Sequence, residues 1–267
     1  MRRELATGTV TLHADTSGSG DETVVLLHGL FGSSSNLMAL ARSLEPFFTV
    51  VRMDLRNHGK SAHSDSMALR SLAKDVCAKL NEMNIDAAHL VGHSLGGKVA
   101  MEMALAFPAR VKRLVVADIA PVAYGRGHDQ IFAGLFALDL RNLESRQQAD
   151  RELEASVPEL AIRSFLLKNL IRADGGGWAW RMNLTALAED YDAIRAAPEA
   201  GVFDGPTLFI RGGASDYVLD EHRVLIQRQF PQVEIQTVAE AGHWLHAEKP
   251  QVFNEMVLQF LRGHGNF

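Results

Sequence analysis

Short apolar runs alternate with amphipathic stretches along most of the chain. Val24 to Leu27, Phe48 to Met53, Ala88 to Val91, Arg113 to Ala117, Thr207 to Ile210 and Val233 to Val238 read as strands. They are brief, mostly apolar and bounded by turn residues, as buried parallel strands are. Residues 36–44, 67–83, 95–106, 220–229 and 250–262 carry helical patterns instead. In the third of these, Leu95, Val99, Met103 and Ala106 recur at helical spacing, and Phe107-Pro108 ends the run. Strand–helix alternation of this kind predicts an α/β fold, a mostly parallel sheet flanked by helices. Leu5 to His13 alternates weakly and reads as a possible extra edge strand.

The rhythm breaks between about 120 and 200. Helical patterns appear around 129–139, 145–155 and 159–171, then Gly175-Gly176-Gly177-Trp178-Ala179-Trp180, then Leu184 to Tyr191. No strand as apolar as the others is evident there. The expected organisation is one core made of residues 1–119 and 201–267, with 120–200 inserted as a helical cap.

Composition narrows the setting. A chain of 267 residues, 47% hydrophobic, can build one large domain with an insertion. The net charge of −5 and the lack of a basic tract give no sign of nucleic-acid binding. Cys77 is the single cysteine, so no internal disulfide framework exists, and its position on an apolar helix face predicts a buried, inert thiol. No run reaches membrane-spanning length, and Arg2 and Arg3 are not followed by an apolar leader segment. The expected setting is cytoplasmic.

Chemistry enters at Gly92-His93-Ser94-Leu95-Gly96, a G-x-S-x-G pattern between a strand and a helix. Such an elbow raises a serine hydroxyl above the sheet on a tight turn that glycines make possible. A serine is a weak nucleophile without a histidine base, and the histidine needs an acid to fix its tautomer. His243, in Ala241-Gly242-His243-Trp244 after the last strand, fits as base; His246 fits better as a packing or orienting neighbour. His93 is expected to line the elbow. Two acids compete. Asp216 lies in the loop after the next-to-last strand, one residue later than the usual slot, which Ser215 holds. Asp118 caps the strand after the nucleophile helix, at the C-terminal sheet edge where such sites form. Asp118 is favoured. The Leu30 and Leu95 amides are the expected oxyanion donors, with Phe31 second to Leu30. The charge-rich turn from Asp54 to Ser61 reads as a hydrogen-bonded structural loop.

These motifs together resemble the α/β-hydrolase superfamily, and within it the YbfF-like esterases. The resemblance rests on His28-Gly29-Leu30-Phe31-Gly32-Ser33, Arg56-Asn57-His58-Gly59, Gly92-His93-Ser94-Leu95-Gly96-Gly97-Lys98, Asp118-Ile119-Ala120-Pro121-Val122 and Ala241-Gly242-His243-Trp244, continued by His246-Ala247-Glu248-Lys249-Pro250. It implies a Ser-Asp-His triad whose acid is Asp118, and hydrolysis of acyl esters or thioesters without metal or cofactor.

The substrate expected is therefore a small-molecule ester or thioester. Acyl-CoA is one option, its phosphates meeting Arg126 and Arg211. Phe31, His93, Arg126 and Trp244 are candidate substrate contacts. Phe132, Leu135, Phe136, Phe165 and Leu166 would supply an apolar acyl pocket. Carbon–carbon bond hydrolysis or synthase chemistry on the same triad, or ligand binding on the same fold, are the alternatives. Dehalogenase chemistry would need an aspartate where Ser94 stands.

Overall fold

The computed structural model describes residues 8–263. Strands β1 (Ala14–Ser17), β2 (Thr23–Leu27) and β3 (Thr49–Met53) come first, with helix α1 (Met38–Leu44) between β2 and β3. Then follow α2 (Leu69–Glu82), β4 (Ala88–His93), α3 (Leu95–Ala106) and β5 (Val111–Ala117). The segment up to β8 holds α4 (Asp129–Ala137), α5 (Arg146–Leu153), α6 (Leu160–Leu166), β6 (Leu170–Arg172), β7 (Trp178–Trp180), α7 (Leu184–Glu189) and α8 (Tyr191–Arg195). The chain closes with β8 (Thr207–Gly212), α9 (Arg223–Gln229), β9 (Val233–Val238), α10 (Leu245–Glu248) and α11 (Pro250–Leu261).

Seven strands form one sheet in the order β1-β3-β2-β4-β5-β8-β9. All pairings are parallel except β1 with β3. Strand residues alternate between two apolar layers because successive side chains point to opposite faces. Val24, Leu26, Val50, Val91 and Val115 pack with Leu40 and Leu44 of α1 and Phe253 and Val257 of α11. Val25, Leu27, Val51, Leu90 and Val116 pack with Leu72 and Val76 of α2 and Val99 and Met103 of α3. Cys77 is buried in that second layer, and burial pushes its thiol up to about 11.

Two expectations are corrected. The edge strand is Ala14–Ser17; of the span Leu5 to His13, residues 5–7 lie outside the described residues, and 8–13 are not strand. The β5–β8 segment is also not purely helical. β6 and β7 pair antiparallel as a hairpin turned by Gly176 and Gly177, both at positive φ. The pattern at 159–171 breaks accordingly: α6 ends at Leu166, and Leu170 already belongs to β6.

Candidate active site

Parallel strands bring their C-terminal ends to one edge, where Leu30, Phe31, Ser94, Asp118, His243 and Trp244 follow strand ends and His93 closes β4. Ser94 follows β4 at φ 53° and ψ −117°, a strained conformation for a side chain with a Cβ. The turn closes because Gly92 and Gly96 flank it. A Cβ on Gly92 would lie 2.2 Å from the Gly96 carbonyl oxygen, and one on Gly96 would lie 2.2 Å from that of Leu27. The strain therefore depends on two positions where no side chain fits.

Three side chains meet across this edge. His243 Nε2 lies 3.0 Å from Ser94 Oγ, and His243 Nδ1 lies 2.8 Å from Asp118 Oδ2. Asp118 is fully buried, at φ 50°. Its other oxygen accepts from the Gly212 amide at 2.8 Å, and the Ser215 hydroxyl donates to Oδ2. Ser215, which displaces Asp216 by one position, thus serves as a hydrogen-bond donor to the acid. Asp216 itself is exposed and is not bonded to His243. Tyr217 stacks on the His243 ring at 3.8 Å, interplanar angle 17°. His93 donates from Nε2 to the His243 carbonyl at 2.8 Å, so it braces the backbone of the histidine loop. Burial holds His93 well below the ordinary histidine range. His246 is buried against His93 and Phe253, and burial brings it down to about 4.

The loop after β2 is pinned by two neutral histidines. His28 donates from Nδ1 to the Gly29 carbonyl at 2.8 Å and accepts from the Leu55 amide at 3.0 Å. His58 donates from Nδ1 to the Arg56 carbonyl at 2.8 Å and accepts from the Phe31 amide at 3.2 Å. Burial brings His58 down to about 3, which keeps Nε2 available as an acceptor. The Phe31 amide is therefore engaged. Phe31 sits at φ 60°, and its carbonyl accepts from Asn169 Nδ2 at 2.7 Å. Asn169 carried no signal in the sequence, because one asparagine in a mostly helical stretch gives no periodicity. The Asp54 loop is structural as expected: its carboxylate accepts from Ser34 and Lys60 amides, and Arg56 forms a buried pair with Asp75 at 2.6 Å.

Ser94 opens onto two cavities. The larger, about 690 Å³, is lined by Phe31, His93, Phe165, Leu166, His243 and Trp244 among others. The smaller, about 300 Å³, is lined by Leu95, Lys98, Ile119, Tyr124, Tyr191 and Ile194 among others. Of the expected apolar contacts, Phe165 and Leu166 take part. Phe132 and Leu135 are turned into the core and Phe136 faces solvent, because α4 presents those residues to different sides. Arg126 borders neither cavity: its guanidinium is ion-paired with Asp129 and Asp192 at 2.9 and 2.8 Å. Arg211 is likewise paired with Asp220 at 3.0 Å. Among the described residues no cluster of metal-ligating side chains is present, and no helix is long and apolar enough to cross a membrane.

Comparison with known proteins places this geometry. The profile of the alpha/beta hydrolase fold family matches residues 22–250. The chain is 42% identical to mouse (Mus musculus) sn-1-specific diacylglycerol lipase ABHD11, covering 91% of this chain and 82% of that one. It is 38% identical to Escherichia coli (strain K12) esterase YbfF, covering 89% and 92%. A solved marine microorganism esterase superposes with a TM-score of 0.92 at 34% identity, covering 94% of this chain and all of that one. A family profile over most of the chain, relatives over nearly its whole length and a matching fold agree, and the chain belongs to the alpha/beta hydrolase fold family as a carboxylesterase-type hydrolase of the YbfF-like group.

Proposed function

We propose that the protein hydrolyses carboxylic esters, and acyl thioesters by the same chemistry, through a covalent acyl-enzyme on Ser94. The observation that carries this is the continuous hydrogen-bonded line from Ser94 Oγ through His243 to Asp118. His243 Nε2 takes the hydroxyl proton as Oγ attacks the acyl carbon. The Leu30 and Leu95 amides hold the oxyanion. His243 then gives its proton to the leaving oxygen or sulfur, and afterwards activates the water that frees the acid. Asp118 keeps Nδ1 protonated and stabilises the imidazolium; its two further donors, Gly212 and Ser215, fix its orientation.

In this reading residues 120–200 form a cap on a core of 1–119 and 201–267, since the segment supplies walls to both cavities. Phe31, His93 and Trp244 stand at the larger cavity as substrate contacts. Arg126 and Arg211 are already ion-paired, which argues against a dedicated contact to CoA phosphates.

The test is p-nitrophenyl ester turnover by wild type and Ser94→Ala, with rapid mixing to look for a burst. A loss of about 10⁴-fold or more in kcat is expected for the variant, with one burst equivalent per wild-type chain. Near-normal turnover by Ser94→Ala would sink the mechanism.

A further inference from the structure

Ser94, Leu30, His128 and Tyr217 border both cavities, so an ester bound at Ser94 must send its two halves into different chambers. We propose that the smaller chamber takes the acyl group and the larger one the alcohol, which makes short- to medium-chain acyl esters of bulky apolar alcohols the preferred substrate class. This allocation rests on Ser94 acting as the nucleophile.

Stereochemistry decides which half goes where. The tetrahedral adduct carries four groups on one carbon: Ser94 Oγ, the oxyanion, the acyl chain and the leaving oxygen. Collapse breaks the bond to the leaving oxygen, which must receive the proton on His243 Nε2. That oxygen therefore sits within hydrogen-bond reach of Nε2, about 2.6–3.2 Å. His243 borders the larger chamber and not the smaller one. The alcohol accordingly extends past His243 and Trp244 toward Ile162 and Phe165.

The second half-reaction makes the same assignment. Water attacks the acyl carbon while His243 takes its proton, and Oγ leaves with that proton. The water must stand where the alcohol oxygen stood, with the acyl chain still in place. The chamber vacated by the alcohol has to be the one His243 faces. Leu95, whose amide is a proposed oxyanion donor, borders only the smaller chamber, beside Ile119 and Ile194.

Volume sets the lengths. A water molecule's share of liquid is about 30 Å³, close to that of a methylene group, so 300 Å³ holds about ten carbons and leaves no room for much longer acyl chains. The larger chamber, at about 690 Å³, accepts an aromatic or branched alcohol.

Two ester series on the full chain test the allocation. Across p-nitrophenyl esters, kcat/KM should fall by about 10-fold or more from butanoyl to dodecanoyl. Across acetates, it should rise by about 10-fold or more from ethyl to naphthylmethyl. The opposite order in both series would overturn the proposal. Ile194→Trp should widen the gap between acetyl and hexanoyl esters, and Ile162→Trp the gap between ethyl and naphthylmethyl acetates. Exchanged sensitivities would also overturn it, and Ile162→Trp decides alone should Ile194→Trp fail to fold. Ser94→Ala on the same esters keeps the two claims apart. Residual turnover there sinks the serine mechanism, whereas a reversed order with an inactive Ser94→Ala sinks only the allocation.

Discussion

The central sheet and the segment between β5 and β8 share one apolar core but differ in how far polar bonds register them. In the sheet, Val24, Val25, Leu26, Leu27, Val50 and Val51 are fully buried, and the layers close by apolar packing. That packing is large and non-directional. The seam between segment and sheet edge joins that apolar core, as where Phe132 meets Phe31, and adds polar bonds. Lys98 Nζ donates to the carbonyls of Val122, Arg195 and Ala196, Asn169 to that of Phe31, the Asn183 amide to that of Asn57, and the Met67 amide to the Asp190 carboxylate. Each such bond adds only about 1 kcal/mol net, but each has one geometry. Burial assembles the chemistry at the sheet edge, and hydrogen bonds register the walls above it.

The largest predicted effect tests the sheet side. Asp118→Asn should lower kcat by about 10⁴-fold, since an amide facing His243 Nδ1 favours the wrong tautomer. Asp216→Asn should stay within about 3-fold, because its exposed carboxylate does not reach His243. Steady-state kinetics on one p-nitrophenyl ester distinguishes them, and equal losses would break the assignment of the acid.

The next test lies on the seam. Asn169→Ala strips the Phe31 carbonyl of its donor in a buried place, at a cost of about 1–3 kcal/mol that falls on the loop carrying Leu30. We expect kcat/KM to drop by about 10-fold, with kcat carrying more of the loss than KM. Unchanged kcat would make the segment a wall only, with no part in setting the oxyanion loop.

Acid should loosen both regions. His58 lies at about 3, and His128 and His246 at about 4, chiefly because burial opposes their charged forms. An unfolded histidine titrates near 6.5. As the pH falls from 6.5 toward 4, the unfolded chain binds protons that the folded chain refuses, so stability falls with pH across that window. Urea midpoints measured between these values should decline steadily. His128→Gln, in the β5–β8 segment where the ring bonds Tyr191, should flatten the decline. A flat wild-type profile would contradict buried neutral histidines.

The same contrast explains what the sequence made legible. The six parallel strands were visible because each is a short apolar run between turns. Ser94, Asp118 and His243 were visible because each follows such a run at the sheet edge. β1 was misplaced because Ala-Asp-Thr-Ser has no apolar signal; its pairing with β3 is an edge contact. The hairpin of β6 and β7 was missed because three residues per strand are too few for a period, although the glycine turn before Trp178 hinted at it. Asn169 and Lys98 were invisible as seam residues, since the meaning of a lone polar side chain lies in a partner distant in sequence.

The smallest effect is predicted for Arg126, where a charge on the β5–β8 segment suggested a phosphate contact. Its guanidinium is exposed, lies over the Tyr191 ring at 5.3 Å and bonds Asp129 and Asp192. Exposed pairs of this kind contribute little, and a phosphate would have to compete with two carboxylates already in place. Arg126→Ala should therefore change kcat/KM on p-nitrophenyl butanoate by less than about 2-fold. The preference between a CoA thioester and the same acyl group on a small neutral thiol should not move. A selective loss of about 10-fold on the CoA thioester would mean that the ion pairs open to receive phosphate. The segment would then contribute charge recognition at its outer face as well as apolar walls at its inner one.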